Sequence, residues 1–219
     1  MFKKLMEIMR KGDLVEQAIE ETAVMFSNAK KVYEEAIAAL KENREPKFDI
    51  YAVDREINDS EKSIRRKLLE NMAINPRQDI VASLVVTSII IDIERIGDYS
   101  KNIYELNQIR TSKKTNIDSE LLKQANFLAD QFDAINNAFG LGDPDKGKIL
   151  MDRLDPVRKF FEKYIRDIIH QSNISIENAV INTLFARYLK RVGAHLENIA
   201  SGIVNPFDRI GFYKKEDIT

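Results

Sequence analysis

Four carboxylates in the first half of the sequence could share one site. Glu94 and Asp98 are four residues apart, so on a helix their side chains lie on the same face. Asp54 and Glu61 are two turns apart and interrupt a run of helically spaced isoleucines. A carboxylate in such a run is costly unless a cation, a hydrogen bond or water satisfies it. Four acidic side chains on two facing helices predict an oxygen-rich site for iron, zinc, manganese or magnesium.

The same acids have a second interpretation that needs no metal. They could form internal ion pairs with Arg95, Arg65 or Arg66, or they could line a hydrated face of the bundle. Asn58 stands four residues after Asp54, where a second acid would complete an acidic pair on that helix. The residues alone leave both the metal site and the ion-pair network open.

Few other residues in the sequence could do chemistry. It has no Cys, which excludes disulfides, thiolate nucleophiles and cysteine-ligated zinc. Neither of its two histidines, His170 and His195, has a Glu three residues before it, the pattern of carboxylate-bridged metal enzymes. The sequence also lacks a phosphate-binding glycine loop and a dinucleotide fingerprint. We therefore predict no catalytic residues and no enzyme. The alternative is a carboxylate-bridged metal enzyme or a metal-storage helical bundle.

The composition favours an all-helical, intracellular protein without disulfides. The 219 residues include 34 Lys and Arg against 35 Asp and Glu, and a net charge of −1 gives no electrostatic reason to expect nucleic acid as a partner. The longest apolar region, residues 80–93, contains polar residues and is too short to span a membrane. Residues 1–11 predict a short amphipathic helix that docks on the protein's own bundle or contacts a membrane surface or a partner.

The spacing of apolar residues predicts six helices. The third is apolar nearly all round over residues 80–91, so we expect it to lie between the other helices of its unit. Asn75-Pro76 is typical of a helix start, and Pro156 predicts a kink or a late start in the fifth helix. The expected helices cover about residues 15–40, 48–72, 75–108, 121–139, 145–171 and 175–204.

The second half of the sequence repeats the first. An offset of 100 residues aligns the apolar positions of the second helix with those of the fifth. An offset of 96 aligns IERIGDYSKNI (93–103) with LKRVGAHLENI (189–199). Two registers in the same order indicate that a three-helix unit has been duplicated. We predict an all-α fold of two tandem three-helix bundles: residues 1–110, with the N-terminal segment, and residues 111–219, with the C-terminal tail.

The second repeat keeps none of the four acids. The counterparts of Asp54, Glu61, Glu94 and Asp98 are, in that order, Leu154, Phe161, Lys190 and Ala194. Tolerated surface acids would not be expected to disappear together, so this joint replacement favours a common role for the four. It also predicts that the second repeat has no equivalent site.

Residues 93–103 are similar to a pattern of the PhoU family of phosphate-uptake regulators, L-E-R-I-G-D-x-x-x-N-I, with Ile93 in place of Leu. Residues 189–199 match the pattern in degraded form. Together with the duplicated layout, these motifs make the chain resemble a bacterial or archaeal PhoU protein over residues 12–205. The resemblance implies two three-helix bundles and a cytoplasmic, non-enzymatic regulator of phosphate transport and homeostasis.

The same resemblance implies partners and a cofactor. The expected partners are a cytoplasmic component of a phosphate transporter and, as a second class, a sensor kinase. A homodimer is also expected, with contact to the membrane only through a partner. Family members can bind iron or zinc through E/D-x-x-x-D motifs on the repeat helices, and within the predicted helices only Glu94 with Asp98 completes that motif.

Overall fold

The computed structural model describes residues 13–74, 80–111, 115–205 and 207–211. Within these ranges the secondary structure is helical and contains no strand, which confirms the predicted all-α class. The predicted segment 1–11 and the predicted helix start at Asn75-Pro76 lie outside the described residues. The helices are α1 (Asp13–Glu42), α2 (Ile50–Ile74), α3 (Ile80–Ile109), α4 (Ser119–Leu141), α5 (Pro144–Asp167) and α6 (Ile176–Val204). Short 3-10 helices follow α5 and α6.

The helices of the second half begin and end at residues suited to capping. Asp118, Asp143 and Ser175 precede α4, α5 and α6, and each side chain accepts a hydrogen bond from a backbone N–H in the first turn. Gly142 ends α4 with a φ of 60°, a left-handed conformation that glycine adopts without steric cost. Pro156 lies inside α5, which begins at Pro144, so of the two alternatives, a kink or a late start, the late start does not occur.

The helices pack in two groups of three. α1, α2 and α3 contact one another, as do α4, α5 and α6. The two groups meet where α3 packs along α6 and α1 packs against α4. The apolar helix α3 therefore lies between its own unit and α6, which explains why it is apolar nearly all round. The proposed division at residue 110 stays a prediction, because a single apolar core joins the two groups.

The contact of α3 with α6 has approximate twofold symmetry. Under the offset of 96 residues, Tyr99 corresponds to His195, and their rings stack with centroids 5.7 Å apart. Asp92 pairs with His195 across the interface, at 2.7 Å between Oδ1 and Nδ1. The corresponding pair is Tyr188 with Tyr99, whose ring centroids are 6.2 Å apart. When a residue of α3 contacts a residue of α6, the counterparts of these two residues therefore also contact each other, as in an isologous interface.

The contact of α1 with α4 has the same approximate twofold symmetry, with an offset of 99 residues between corresponding positions. Tyr33 corresponds to Phe132, and their ring centroids are 5.3 Å apart. Phe26 stacks on Phe132 at 5.2 Å, and the corresponding pair is Ala125 with Tyr33. In that pair the buried Tyr33 hydroxyl donates a hydrogen bond of 2.9 Å to the backbone oxygen of Ala125. The duplication seen in the sequence is therefore also a symmetry of the packing.

Removal of the Tyr33 hydroxyl should weaken the contact of α1 with α4. Because this hydroxyl is buried and hydrogen-bonded, Tyr33→Phe should lower the free energy of unfolding by about 1 kcal/mol in urea titrations. Tyr51→Phe is the matched control, since Tyr51 is 36% exposed and should change the same quantity by less than about 0.5 kcal/mol. Equal effects of the two substitutions would contradict the observed contact.

Candidate functional site

The four predicted carboxylates lie on the facing sides of α2 and α3. Asp54 and Glu61 come from α2, and Glu94 and Asp98 come from α3. Asp54 is 8% exposed, which makes it the most buried of the four. Burial raises the pKa of Glu94, and the negative charge of Asp98 raises it further. The charge of Arg95 opposes this rise, and Glu61 and Asp54 add smaller increases in the pKa. The structure therefore brings all four acids into one electrostatic cluster.

Gly97 allows α2 to come close to α3 at this cluster. A Cβ atom at this position would lie 3.2 Å from Cδ1 of Ile57 and 3.8 Å from Oδ1 of Asp54. A side chain here would press on Ile57 and so separate the two helices at the level of Asp54.

Lys101 provides a cation at the centre of the cluster. Its Nζ lies 2.8 Å from Oδ2 of Asp54 and 3.0 Å from Oδ1 of Asp98, so one ammonium bridges α2 and α3. Burial lowers the pKa of Lys101, but its hydrogen bonds to Asp54 and Asp98 outweigh burial and raise the pKa overall. Lys101 therefore stays charged and compensates the two carboxylates nearest to it.

The other two acids are paired with arginines on their own helices. Arg65 lies 2.6 Å from Oε1 of Glu61, one helical turn away. Arg95 lies 3.4 Å from Oε2 of Glu94 and also 3.4 Å from Oδ2 of Asp98. Two of the three arginines that the ion-pair interpretation named are therefore in contact with the acids. Each of the four carboxylates has a cationic partner.

The donor chemistry of the cluster fits a hard metal ion, because four carboxylates are the ligands such ions prefer. The arrangement, however, suits an ammonium. Within the described residues no group of three or more His, Asp or Glu side chains is placed so that it could hold a metal ion. Binding of iron or zinc by Glu94, Asp98, Asp54 and Glu61 stays a prediction, and it would require Lys101 to leave its place.

The sequence interpretation missed Lys101, although the sequence carried a signal for it. Lys101 is three residues after Asp98 and seven after Glu94, so a helix places all three on one stripe. An opposite charge at that spacing is a standard helical ion pair. What the sequence did not show is that the same ammonium also reaches Asp54 on α2.

The second repeat replaces the acid cluster with apolar packing. Leu154 and Phe161, at the positions of Asp54 and Glu61, are 2% and 0% exposed. Lys190, at the position of Glu94, pairs with Glu162 of α5 at 2.8 Å. The absence of candidate ligands predicted for this repeat therefore coincides with a tightly packed core at the same place.

Glu197 occupies the position that corresponds to Lys101, so the charge at this position is reversed. It is 9% exposed and lines a cavity of about 70 Å³ together with Arg158, Asn198 and Ser201. Burial raises the pKa of Glu197, the charge of Arg158 partly offsets this effect, and the charge of Asp155 adds to it. A buried carboxylate of this kind is costly when ionised.

A second cluster of hydrogen-bonded polar side chains lies between α3 and α6. Asp92 accepts a hydrogen bond of 3.0 Å from the side-chain amide of Asn198, and it contacts His195 as described above. His195 and Asn198 therefore both contact Asp92 across the α3–α6 interface. Since Asp92 and His195 are 8% and 9% exposed, solvent has little access to this pair.

These features define the protein as a PhoU-like helical bundle with one acidic repeat. Residues 22–106 match the family model described as the PhoU domain, a range that contains all four acids and Lys101. This match confirms the resemblance found in the sequence: the first repeat is similar to a PhoU domain over these residues. No described helix is long and apolar enough to cross a membrane.

A curated relative is the phosphate-specific transport system accessory protein PhoU homolog 1 of Thermotoga maritima. It is 35% identical over 124 residues, which are 52% of this chain and 51% of the relative. The match thus covers about half the length of that relative.

Two solved structures share the fold over most of this chain. PhoU from Pseudomonas aeruginosa has a TM-score of 0.77 at 18% identity, with 87% of this chain and 95% of that chain covered. The phosphate transport system regulatory protein PhoU from Streptococcus pneumoniae has a TM-score of 0.77 at 16% identity, with 86% and 92% covered. At such low identity the likeness establishes the fold alone.

Neutralisation of Glu197 should stabilise the protein at pH 7. Because folding raises the pKa of this acid, its protonated form favours folding at low pH, and this contribution is lost as the pH rises through the folded pKa. Glu197→Gln should therefore raise the melting temperature at pH 7. The gain should shrink as the pH falls through the folded pKa and should be lost below the unfolded value of 4.5. A lower melting temperature at pH 7 would contradict this account of the cavity.

Glu35→Gln is the control with the opposite sign. Burial raises the pKa of Glu35, but hydrogen bonds from Arg44 and from the Lys47 backbone N–H outweigh burial and lower the pKa overall. Its ionised form favours folding above the unfolded pKa, and this contribution is lost as the pH falls through the folded pKa. Glu35→Gln should therefore lower the melting temperature at pH 7 and have less effect in acid.

Proposed function

We propose that this protein is an accessory regulator of phosphate transport that binds the cytoplasmic component of a phosphate transporter. The observation that carries the proposal is the PhoU-domain match over residues 22–106, which includes the acid cluster. The T. maritima relative supports it, since that protein is an accessory protein of a phosphate-specific transport system. A sensor kinase is the second class of partner, and we propose that the protein acts as a homodimer.

Exposed aliphatic side chains at the ends of both repeats favour function by protein binding. Near the α2–α3 connection Leu69 and Ile80 are 65% and 52% exposed, and at the corresponding places near the α5–α6 connection Ile169 and Ile176 are 78% and 85% exposed. Exposed apolar surface is available for contact with another protein, and here it recurs at equivalent positions of the two repeats. A bundle with one core and exposed aliphatic side chains near both connections suits a protein that transmits the state of its partners.

The arrangement of polar residues favours a regulator over an enzyme. The acids of the first repeat are compensated by Lys101, Arg65 and Arg95, so none is poised as a free base. The Asp92–His195 pair, which in an open cleft could act as an acid–base pair, is buried between α3 and α6. We propose that bound iron or zinc, where present, has a structural or regulatory role in the first repeat.

Deletion of the gene in its host should change phosphate uptake, because a regulator acts on the transporter rather than on a metabolite. Uptake of radiolabelled phosphate, measured after growth in high and in low phosphate, should differ from the parent strain and return with a plasmid-borne copy. Unchanged uptake in both media would contradict the proposed function. Purified protein should hydrolyse no nucleotide or phosphoester.

Variants of the exposed ends would locate the partner surface. Leu69→Ser with Ile80→Ser should fail to restore normal uptake while keeping the wild-type melting temperature, since both side chains are exposed. Val24→Ser is the matched control, because Val24 is 58% exposed on α1 but lies away from the helix connections. Loss of function with both variants, or with neither, would contradict an interaction at this end of the bundle.

A further inference from the structure

We propose that the groove between α4 and α5 is a docking site for a segment of a protein partner that carries a carboxylate next to an aliphatic side chain. The groove has a volume of about 280 Å³ and is lined by Ala134, Asn137, Lys146, Ile149, Leu150 and Arg153. This inference rests on the proposed function only in taking the partner to be a protein. It adds a contact surface of defined chemistry to the exposed aliphatic residues already described.

The two cations of the groove carry the first step. Lys146 and Arg153 both belong to α5, and both side chains are exposed. Arg153 forms no ion pair with any residue that the structure describes. The Lys146 ammonium lies 3.6 Å from Oδ2 of Asp143, in a solvated pair whose side chains are 49% and 32% exposed. Since neither cation is held strongly, both are available to a carboxylate from another molecule.

The apolar part of the groove indicates a protein segment rather than a small anion. Leu150 is buried, Ala134 is half-buried, and Ile149 is 51% exposed beside the two cations. A small anion would gain little here, because ion pairs with exposed cations are weak in water. A peptide that lays an aliphatic side chain on Ile149 also removes apolar surface from water, and this contribution adds to the ion pairs.

The first repeat shows that a carboxylate fits this place. Under the offset of 99 residues, Ala134 corresponds to Glu35. Glu35 is 8% exposed and accepts hydrogen bonds from the guanidinium of Arg44 and, at 2.7 Å, from the backbone N–H of Lys47. The first repeat thus has a carboxylate of its own, paired with a guanidinium. In the second repeat the carboxylate is replaced by the methyl group of Ala134, whereas the guanidinium of Arg153 lines the groove.

The two helix connections explain this difference. Residues 43–49 connect α1 to α2 and supply both groups that bind Glu35, whereas only residues 142–143 connect α4 to α5. α5 therefore begins earlier than α2 relative to its repeat, and its first turn brings Lys146 to the groove. The second repeat has the cations without the acid, so an acid from a partner can take the corresponding place.

The groove lies at the end of the bundle that also carries Leu69 and Ile80. Gly147, near the start of α5, packs against Val204 at the end of α6, and Gly202 of α6 packs against Ile89 of α3. The starts of α5 and α3 are therefore both near the end of α6. One partner can contact the groove and the exposed aliphatic residues of the α2–α3 connection together.

The test measures the binding of defined peptides to the isotope-labelled full chain by NMR. The probe is acetyl-Leu-Glu-Leu-Gly-amide, its neutral match is acetyl-Leu-Gln-Leu-Gly-amide, and isocaproate represents a free aliphatic carboxylate. The acidic peptide should shift the amide signals of the groove residues. It should bind about tenfold more tightly than the neutral peptide and than isocaproate, because only this probe combines the charge with the full apolar contact.

Matched variants assign the binding to this groove. Lys146→Gln with Arg153→Gln should weaken binding of the acidic peptide about tenfold and leave the fold intact, since both side chains are exposed. Lys159→Gln is the control, because Lys159 is a 70% exposed cation of the same helix that does not line the groove, and it should leave the affinity unchanged.

Ala134→Glu returns to the second repeat the carboxylate that Glu35 provides in the first. This side chain should pair with Arg153, occupy the groove and abolish peptide binding, while the melting temperature stays at or above that of the wild type. A lower melting temperature, or unchanged peptide binding, would overturn the correspondence between the groove and the place of Glu35.

Each result decides the proposal. Tighter binding of the acidic peptide, weakened by Lys146→Gln with Arg153→Gln, supports it. Equal binding of the two peptides overturns the recognition of a carboxylate, and binding of isocaproate as tight as that of the peptide overturns the protein partner in favour of a small anion. Signals that do not shift in the groove overturn the site. Absence of peptide binding would leave the regulation of phosphate transport untouched, and unchanged uptake after gene deletion would leave peptide binding untouched.

Discussion

The antiparallel contact of α3 with α6 is the constraint on which the rest of the structure depends. α3 has more apolar surface than α1 and α2 can cover, and α6 of the other repeat covers the remainder. Burial of this shared surface stabilises both units at once, because neither can remove its apolar face from water alone. The contact also fixes which residues of the two repeats meet, as the pairing of Tyr99 with His195 shows.

This constraint explains why the acid cluster needs its own cation. With α3 fixed between α1 and α6, and with Gly97 allowing α2 to approach, Asp54 lies where water has little access. A buried carboxylate without compensation would cost several kcal/mol, which is comparable to the total stability of many domains. Lys101 removes most of that cost by bridging the two helices. The cluster is thus a consequence of tight packing as much as a candidate for binding.

Much of the fold could be predicted from the sequence, whereas only part of the candidate site could. Apolar periodicity is a local property, so the six helices and the duplication were visible in positions such as Ile57 and Val157. The meeting of Lys101 with Asp54 depends on the register of α3 against α2, and one-dimensional spacing does not determine a register. The symmetry of α1 with α4 was hidden for another reason: Tyr33 and Phe132 occupy equivalent places but share no motif.

The divergence of the two repeats follows from what each position must satisfy. Positions on the approximate twofold axis contact their own counterparts, so they stay similar in size and shape, as Tyr33 and Phe132 do. The α2–α3 and α5–α6 seams contact different surroundings and are free to change, provided that every buried charge keeps a partner or disappears. Replacement of Asp54 by an apolar counterpart at Leu154 therefore removes the need for a lysine, and Glu197 can stand where Lys101 would be. In such a chain the first repeat holds the carboxylate cluster. The second repeat has apolar packing at the same place and a negatively charged residue at the position of the lysine.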